Sequence, residues 1–237
     1  MVTKVGWIML RNSTRKIRLW LSHFRQPAKL GDLRRTSPLS DVFGWDRGTP
    51  VDRYYIENFL AGYRQDIVGR TLEVNDRRYT IRYGTAVTQS DVLDINSANE
   101  QATLIADLSA RDGLPSMAFD CFILTQTLQL IYDTRAAIAN AHRLLRPGGA
   151  LLATVPSVSR IASDGYNDYW RYTAASCSRL FAETFGADNT TVKSYGNVLT
   201  CIAFLAGMAY EELSREELAT NDEAFPLIIG VRAVRAI

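Results

Sequence analysis

The sequence predicts an α/β fold in which a mostly parallel sheet carries helices on both faces. From Thr49 onward, helix-like segments alternate with short apolar strand-like segments, which is the pattern typical of such sheets. The chain has 237 residues, of which 47% are hydrophobic, so it can bury one sizeable core. We therefore expect one domain, residues 43–237, preceded by an N-terminal extension, residues 1–42.

The helices and strands of this sheet can be placed from capping residues and apolar runs. The first helix is expected to begin at Thr49-Pro50, where Thr49 can cap it and Pro50 suits its first position, and to end before Gly69. Further helices are expected to open at Asp133, Thr173 and Val198. Apolar runs predict strands at residues 71–74, 87–95, 102–106, 118–125, 150–155, 190–195 and 225–234. The last strand is expected to pair antiparallel with the one before it.

Composition and charge exclude several classes of protein. The net charge is +2, so the whole chain lacks the basic field typical of a nucleic-acid-binding protein. No apolar run has the length of a transmembrane helix, and residues 5–10 are too short for the core of a signal peptide. The three cysteines have no metal-ligand spacing, and thiols in apolar runs suit a reducing compartment. We therefore expect a soluble cytoplasmic protein.

Basic side chains are concentrated in the N-terminal extension. Residues 1–35 contain nine Lys or Arg residues and one acid, so this segment carries +8 and the rest of the chain carries −6. A basic segment of this kind can bind an anionic partner or a membrane surface. It can equally dock on its own acidic domain or connect the copies of a homo-oligomer, and the sequence leaves these alternatives open.

Acidic residues follow three successive predicted strands. Glu73 ends the first strand, Asp91 and Asp94 lie in the second, and Asp107 follows the third. The carboxyl ends of parallel strands form the ligand-binding edge of an open α/β sheet. A nucleoside cofactor needs such acids, because one carboxylate can accept from a ribose diol and another from an exocyclic amine. Both Asp91 and Asp94 have a spacing that suits the ribose.

Several motifs resemble those of class I S-adenosylmethionine-dependent methyltransferases. They are Leu72-Glu73-Val74, Asp107-Leu108, the run from Phe119 to Leu128, and Leu145-Arg146-Pro147-Gly148-Gly149. Residues 43–55 and 168–173 further resemble a bacterial subgroup associated with the assembly of glycans or sugar-bearing natural products. The resemblance covers residues 43–237, and it implies a Rossmann-like seven-stranded sheet whose last strand is antiparallel.

The resemblance also implies a cofactor, S-adenosyl-L-methionine, and the residues that bind it. Asp107 would hold the adenine, and Asp91 or Asp94 would hold the ribose. The other cofactor-binding candidates lie at the strand ends and at the start of the first helix: Arg53, Tyr54, Glu73, Asn75, Tyr79, Leu108, Thr125, Gln126 and Thr127. Among these, Arg53 and Tyr54 would bind the carboxylate of the methionine portion.

The turn after the first strand departs from the family pattern. The family has a glycine-rich turn there, which lets the methionine portion approach the backbone, whereas this chain has Asn75-Asp76-Arg77-Arg78. Asparagine tolerates the left-handed conformation, so Asn75 can replace the glycine. The alternative is a degenerate pocket that has lost its cofactor.

Two other enzyme classes are disfavoured by missing motifs. The chain lacks the Gly-x-Gly-x-x-Gly motif of nicotinamide oxidoreductases, and Thr125–Leu128 lacks the motif of enzymes that methylate base nitrogens.

The polar loop after the fifth strand is the candidate acceptor site. Asp168 is the candidate general base, Tyr169 and Trp170 are candidates for packing on a sugar face, and Arg171 is a candidate ligand for a phosphate or carboxylate. The alternative is a structural loop in which Arg171 pairs with Asp168. Neither histidine of the chain is expected to act in catalysis, and no metal site is expected.

These observations predict a methyltransferase that acts on a small molecule. Methyl transfer is a displacement at a sulfonium, so the protein mainly supplies alignment and desolvation. We expect O-methylation of a sugar or glycoside. Two alternatives stay open: an N-methyltransferase of an amino sugar, and a catalytically degenerate module that binds a partner through its basic extension.

Overall fold

The structure of the protein is a computed structural model that describes residues 31–162, 165 and 167–237. The chain divides into two compact units, Met1–Ser37 and Pro38–Ile237. The described residues of the first unit include a 3-10 turn at Gly31–Leu33, while most basic residues of the extension lie outside the described residues. The predicted domain boundary after residue 42 stays a prediction. No helix within the described part of the chain has the length and hydropathy needed to cross a membrane.

The second unit is built around a seven-stranded sheet. Its strands are β1 (Val68–Val74), β2 (Ala86–Asp94), β3 (Leu104–Ile105), β4 (Phe119–Thr125), β5 (Leu145–Pro156), β6 (Thr190–Tyr195) and β7 (Ile228–Val234). Their order is β3-β2-β1-β4-β5-β7-β6. The first five strands pair in parallel, and β7 is antiparallel to both β5 and β6. The predicted Rossmann-like sheet with an antiparallel last strand is therefore confirmed.

Helices cover both faces of this sheet. They are α1 (Val51–Gly62), α2 (Arg78–Tyr83), α3 (Thr134–Leu144), α4 (Ala174–Phe185), α5 (Val198–Ala206) and α6 (Arg215–Ala219). Ile138 of α3 and Phe181 of α4 belong to one buried core, and Phe59 of α1 belongs to the other. Successive side chains of a strand point to opposite faces, so Phe122 of β4 enters the first core and Ile123 the second.

Three helix starts agree with the sequence-based prediction because a side chain caps each of them. Asp133 accepts a hydrogen bond from the Ala136 amide at 3.0 Å at the start of α3. Thr173 caps α4 by accepting from the Ser176 amide at 3.1 Å, and Asn197 caps α5 in the same way. Each cap satisfies a backbone amide that the first helical turn leaves without an intrahelical partner.

The first helix is shorter than predicted at both ends. Thr49 does not cap α1, which begins at Val51 without a side-chain cap. The helix ends at Gly62, well short of Gly69, because a 3-10 turn follows at Arg64–Asp66 and β1 has already begun when the chain reaches Gly69. No residue of this turn is buried, so the apolar face of the helix ends before the turn.

Candidate functional site

A cavity of about 390 Å³ lies at the carboxyl ends of β1 to β4. This volume lies within the range of small-molecule sites, and the place is the ligand-binding edge of an open α/β sheet. Ten of the predicted cofactor-binding residues line it: Arg53, Glu73, Asn75, Tyr79, Asp94, Asp107, Leu108, Thr125, Gln126 and Thr127. Sequence reasoning missed other lining residues, which include Asp76, Arg78, Leu130 and Ile131.

The turn after β1 has the backbone geometry that a glycine would otherwise supply. Asn75 has a φ of 72°, which is in the left-handed region. Its amide donates to the Leu93 carbonyl at 3.0 Å, and this bond ties the turn to the end of β2. Asp76 then accepts from the Arg78 amide at 2.8 Å as α2 begins. The conformation of Asn75 agrees with the hypothesis that this residue replaces the turn glycine.

Glu73 is buried beside the cavity, with 2% of its surface exposed. Its carboxylate accepts hydrogen bonds from the Tyr79 amide at 3.0 Å and from the Thr80 amide and hydroxyl, both at 2.7 Å. Glu73 therefore holds the first turn of α2 although it belongs to β1. Burial raises the pKa of Glu73 to about 7, and the hydrogen bonds from Thr80 and Tyr79 oppose this rise. The group changes its charge near neutral pH.

Asp52 and Arg53 are loosely paired at the start of α1. The Arg53 Nε lies 3.9 Å from the Asp52 Oδ1, and both of these buried atoms lack a hydrogen-bond partner in the described structure. Burial raises the pKa of Asp52. The Arg53 Nη1 donates to the Tyr79 hydroxyl at 3.3 Å. A guanidinium that lines a cavity and retains an unpaired N–H is suited to bind a ligand carboxylate.

Two of the predicted residues lie away from the cavity lining. Asp91 lies before the end of β2, and its carboxylate accepts from the Arg70 Nε at 2.7 Å and from the Thr103 hydroxyl at 2.9 Å. The ring of Tyr54 packs against that of Tyr210, with 5.7 Å between the ring centroids. Both side chains are engaged within the fold, which argues against Asp91 as the ribose ligand and against Tyr54 as a carboxylate ligand.

Asp94 and Asp107 are the acids that lie at the cavity on the side of β2 and β3. Asp94 accepts from the Asn99 side-chain amide at 2.6 Å and from the Asn96 backbone amide at 2.9 Å. Asp107 accepts from the Ser109 amide at 2.8 Å and from its hydroxyl at 2.7 Å. These bonds orient the carboxylates, and each ionised carboxylate still has lone pairs for a ligand. The pair can hold a ribose diol and an exocyclic amine.

The chain turns sharply after β4, at Gln126. This residue has a φ of 47°, which is uncommon for a residue other than glycine. Its amide donates to the Thr154 carbonyl of β5 at 2.8 Å, and its carbonyl accepts from the Gln129 Nε2 at 2.8 Å. The Thr127 hydroxyl donates to the Thr125 carbonyl at 2.9 Å. The Gln126 Nε2 is buried and has no hydrogen-bond partner in the described structure, which is unfavourable unless a ligand pairs with it.

The loop after β5 does not present Asp168 to an acceptor. The Asp168 side chain is 3% exposed, and its oxygens lie 2.5 and 2.9 Å from the two terminal nitrogens of Arg171. It also accepts from the Ala162 amide at 2.9 Å. The hydrogen bond from Arg171 lowers the pKa of Asp168. This ion pair agrees with the alternative of a structural loop and argues against a general base at Asp168 and an anion ligand at Arg171, because the two groups neutralise each other.

Three exposed aromatic side chains form a patch beside the cavity. Tyr132, Tyr169 and Trp170 are 70%, 44% and 40% exposed, and the Tyr132 ring centroid lies 5.3 Å from that of Tyr169 and 5.8 Å from that of Trp170. The Tyr169 amide donates to the Gln129 carbonyl at 2.8 Å, and the Trp170 indole donates to the Ile131 carbonyl at 3.1 Å. Because Ile131 lines the cavity, this aromatic patch is adjacent to it.

His142 and the three cysteines are engaged in packing, and His23 lies outside the described residues. His142 lies on α3, where its ring centroid is 4.9 Å from that of Phe185, and burial lowers its pKa. Cys121, Cys177 and Cys201 are buried free thiols. Among the residues that the structure describes, no group of His, Cys, Asp and Glu side chains could hold a metal ion.

Part of the chain that lines this cavity is similar to known proteins. Residues 68–153 match a protein family described as a methyltransferase domain. No curated protein matches the chain. A SAM-dependent methyltransferase from Archaeoglobus fulgidus has a similar structure, with 12% identity, a TM-score of 0.51, and coverage of 77% of this chain and 94% of that chain. One from Mesorhizobium loti has 15% identity, a TM-score of 0.51, and coverage of 81% and 100%.

A larger enzyme also shares the fold. Phosphoethanolamine N-methyltransferase 2 from Haemonchus contortus, in complex with S-adenosyl-L-methionine, has 14% identity and a TM-score of 0.50. The alignment covers 88% of this chain and 55% of that chain, so this chain spans about half the length of that enzyme. The structural likenesses support the fold. The domain match confirms the predicted enzyme class, an S-adenosylmethionine-dependent methyltransferase, and the predicted cofactor.

Proposed function

We propose that this S-adenosylmethionine-dependent methyltransferase transfers the methyl group to a hydroxyl group of a sugar or glycoside. The observation that carries the proposal is the aromatic patch of Tyr132, Tyr169 and Trp170 beside the cavity. Aromatic rings offer flat apolar faces on which the C–H face of a pyranose can pack while its hydroxyl groups stay free to react. Neighbouring apolar rings that are exposed beside a ligand cavity favour a binding surface.

The cavity residues suit each part of the cofactor. We assign Asp94 to the ribose diol and Asp107 to the adenine amine. Arg53 has an unpaired N–H for the methionine carboxylate, and the left-handed turn at Asn75 lets the methionine portion approach the backbone. Glu73 positions α2 at the same end of the cavity. The lining is completed by Tyr79, Leu108, Thr125, Gln126 and Thr127.

The chain contributes to the reaction mainly through alignment. When bound, the cofactor supplies a methyl group on a positively charged sulfonium, which an acceptor oxygen attacks in line. The aromatic patch would hold the acceptor against the cavity and exclude water from the reacting atoms. Because Asp168 is paired with Arg171, the hydroxyl proton is released to solvent. We therefore expect the rate to follow the acidity of the acceptor hydroxyl.

We also propose that the basic extension is an element separate from the methyltransferase domain. We keep the division into an extension, residues 1–42, and a methyltransferase domain, residues 43–237, and we propose a cytoplasmic site of action. Residues 1–35 lie wholly within the extension and carry +8, which suits either an anionic partner or a contact between copies of the chain.

The test compares methyl transfer to methyl β-D-glucopyranoside and to its 2-amino-2-deoxy analogue. Trp170→Ala should raise the KM for the glucoside by about tenfold, as expected when a stacked ring is lost, while affinity for S-adenosylhomocysteine stays within about twofold. Ile161→Ala is a matched control, because Ile161 is exposed in the same loop but lies outside the patch. Wild-type kinetics in Trp170→Ala, or methylation of the amine alone, would contradict the proposal.

A further inference from the structure

Gln126 lies between the proposed cofactor and acceptor parts of the cavity. It follows β4, which pairs with β1 on the cofactor side and with β5 on the acceptor side. Its carbonyl accepts from the Gln129 Nε2 at 2.8 Å. The Gln129 carbonyl in turn accepts from the Tyr169 amide at 2.8 Å and the Trp170 amide at 3.3 Å, which holds the aromatic patch in place. Gln126 is thus tied through one residue to the surface proposed for the acceptor.

Two unfavourable features coincide at Gln126. Its φ of 47° lies in the left-handed region, and its Nε2 is buried without a hydrogen-bond partner. The residue also lines the cavity. Such strained and unsatisfied groups cluster at ligand-binding sites, where a ligand completes them. The Nε2 makes no hydrogen bond to any described residue, so a ligand that pairs with this end of the amide would satisfy it.

We propose that the side-chain amide of Gln126 positions the acceptor for methyl transfer, an inference that rests on the proposed function and deepens it. The Oε1 accepts a hydrogen bond from the reacting hydroxyl and so directs a lone pair of that oxygen at the methyl group. The Nε2 donates to a neighbouring oxygen of the same sugar. In the transfer, the new C–O bond forms while the C–S bond breaks and leaves its electron pair on sulfur. The hydroxyl proton passes to water, because an amide is too weak a base to take it.

The backbone and the side chain of Gln126 have different roles in this proposal. The turn itself lines the cofactor cavity, as predicted from the sequence, whereas the amide serves the acceptor. Two oxygens on adjacent carbons suit an amide, which has one donor end and one acceptor end. The preferred acceptor is therefore a vicinal diol of a sugar and not an isolated hydroxyl.

The test uses Gln126→Met, which removes the polar atoms and retains a side chain of similar length. We expect an unchanged or higher Tm, because no hydrogen bond is lost, and an affinity for S-adenosylhomocysteine within about twofold of wild type. The kcat for methyl β-D-glucopyranoside should fall about 10- to 100-fold, with a smaller change in KM. Gln126→Asn should recover part of the kcat. Gln129→Met is the contrasting variant, and its Tm should fall because the Gln129 Nε2 donates to the Gln126 carbonyl.

Three outcomes would overturn the assignment. A lower Tm in Gln126→Met would show that the amide is structural. Weaker binding of S-adenosylhomocysteine would show that the amide binds the cofactor. An unchanged kcat would show that the amide does not position the acceptor. If the wild-type protein methylates no glycoside, the proposed acceptor class fails separately. An unchanged or higher Tm together with unchanged cofactor affinity would then still support a ligand-facing amide at Gln126.

Discussion

Ionisation of Glu73 should lower the free energy of unfolding as the pH rises through about 7. Burial raises the pKa of this carboxyl group from 4.5 to about 7 in the folded chain. Because the pKa of Glu73 is higher in the folded chain than in the unfolded chain, protonation of Glu73 raises the free energy of unfolding. This contribution is fully present below pH 4.5 and is lost as the pH rises through about 7. At about 1.4 kcal/mol per pH unit, the interval corresponds to about 3 kcal/mol of unfolding free energy.

Glu73→Gln isolates this contribution, because an amide stays neutral at every pH and keeps one oxygen for the amides of Tyr79 and Thr80. The free energy of unfolding should be measured by urea titration from pH 5 to pH 8. Relative to Glu73→Gln, wild-type stability should fall by about 2–3 kcal/mol over this range. Glu100→Gln is the control, because Glu100 is exposed. A constant difference between wild type and Glu73→Gln would show that the hydrogen bonds offset burial and that Glu73 is ionised throughout.

The affinity for the cofactor should also depend on the ionisation of Glu73. The sulfonium of S-adenosylmethionine is cationic and favours the ionised form of Glu73, so binding should be up to about tenfold tighter at pH 8 than at pH 6. S-adenosylhomocysteine lacks this charge and should show a smaller change. Calorimetry of both ligands with wild type and Glu73→Gln measures the difference. An equal pH dependence for the two ligands would refute the electrostatic role.

Four further predictions concern the other assigned groups and the N-terminal extension. Asp94→Ala should weaken S-adenosylhomocysteine binding in calorimetry by about 1–3 kcal/mol, because a ribose hydroxyl loses its acceptor. Asp91→Ala should leave that affinity unchanged and lower the Tm, because Arg70 loses its partner. Asp168→Asn should lower the Tm and raise the acceptor KM without changing the pH dependence of kcat. Deletion of residues 1–30 should leave cofactor affinity unchanged, and should either change the oligomeric state or abolish salt-sensitive binding to anionic vesicles.

Three of these variants have a specific outcome that would contradict the assigned role. Equal cofactor affinity in Asp94→Ala and wild type would show that the ribose does not bind at Asp94. A large fall in kcat of Asp168→Asn with an unchanged Tm would restore the general base that the ion pair argues against. A truncated protein that is unchanged in oligomeric state, stability and vesicle binding would show that residues 1–30 have no role in these properties.

The parts of the site that follow from sheet geometry could be predicted from the sequence. Parallel strands bring their carboxyl ends to one edge, so Glu73, Asp94 and Asp107 lie at one cavity although they are distant in the chain. The left-handed turn at Asn75 was predictable for a similar reason, because asparagine is among the few residues that adopt it readily. Capping residues such as Asp133 placed the helix starts.

The parts that depend on side-chain pairing could not be decided from the sequence. An acid in a polar loop has the same sequence signal whether it is free or paired, so the pair of Asp168 and Arg171 was one of two alternatives until the structure showed it. Asp91 is similar, because its partner Arg70 lies on the neighbouring strand. Tyr132 was missed because it joins Tyr169 and Trp170 only through the folding of two separate loops, and no local pattern marks it.

Calorimetry with S-adenosylhomocysteine decides whether the cavity at the ends of β1 to β4 binds S-adenosylmethionine. We expect one site per chain with a micromolar or tighter Kd, equivalent to about −8 kcal/mol or better. Asp107→Ala should weaken this binding by about 1–3 kcal/mol, because the adenine amine loses its acceptor. An absence of heat with wild-type protein far above micromolar concentration would contradict the claim and favour a degenerate pocket.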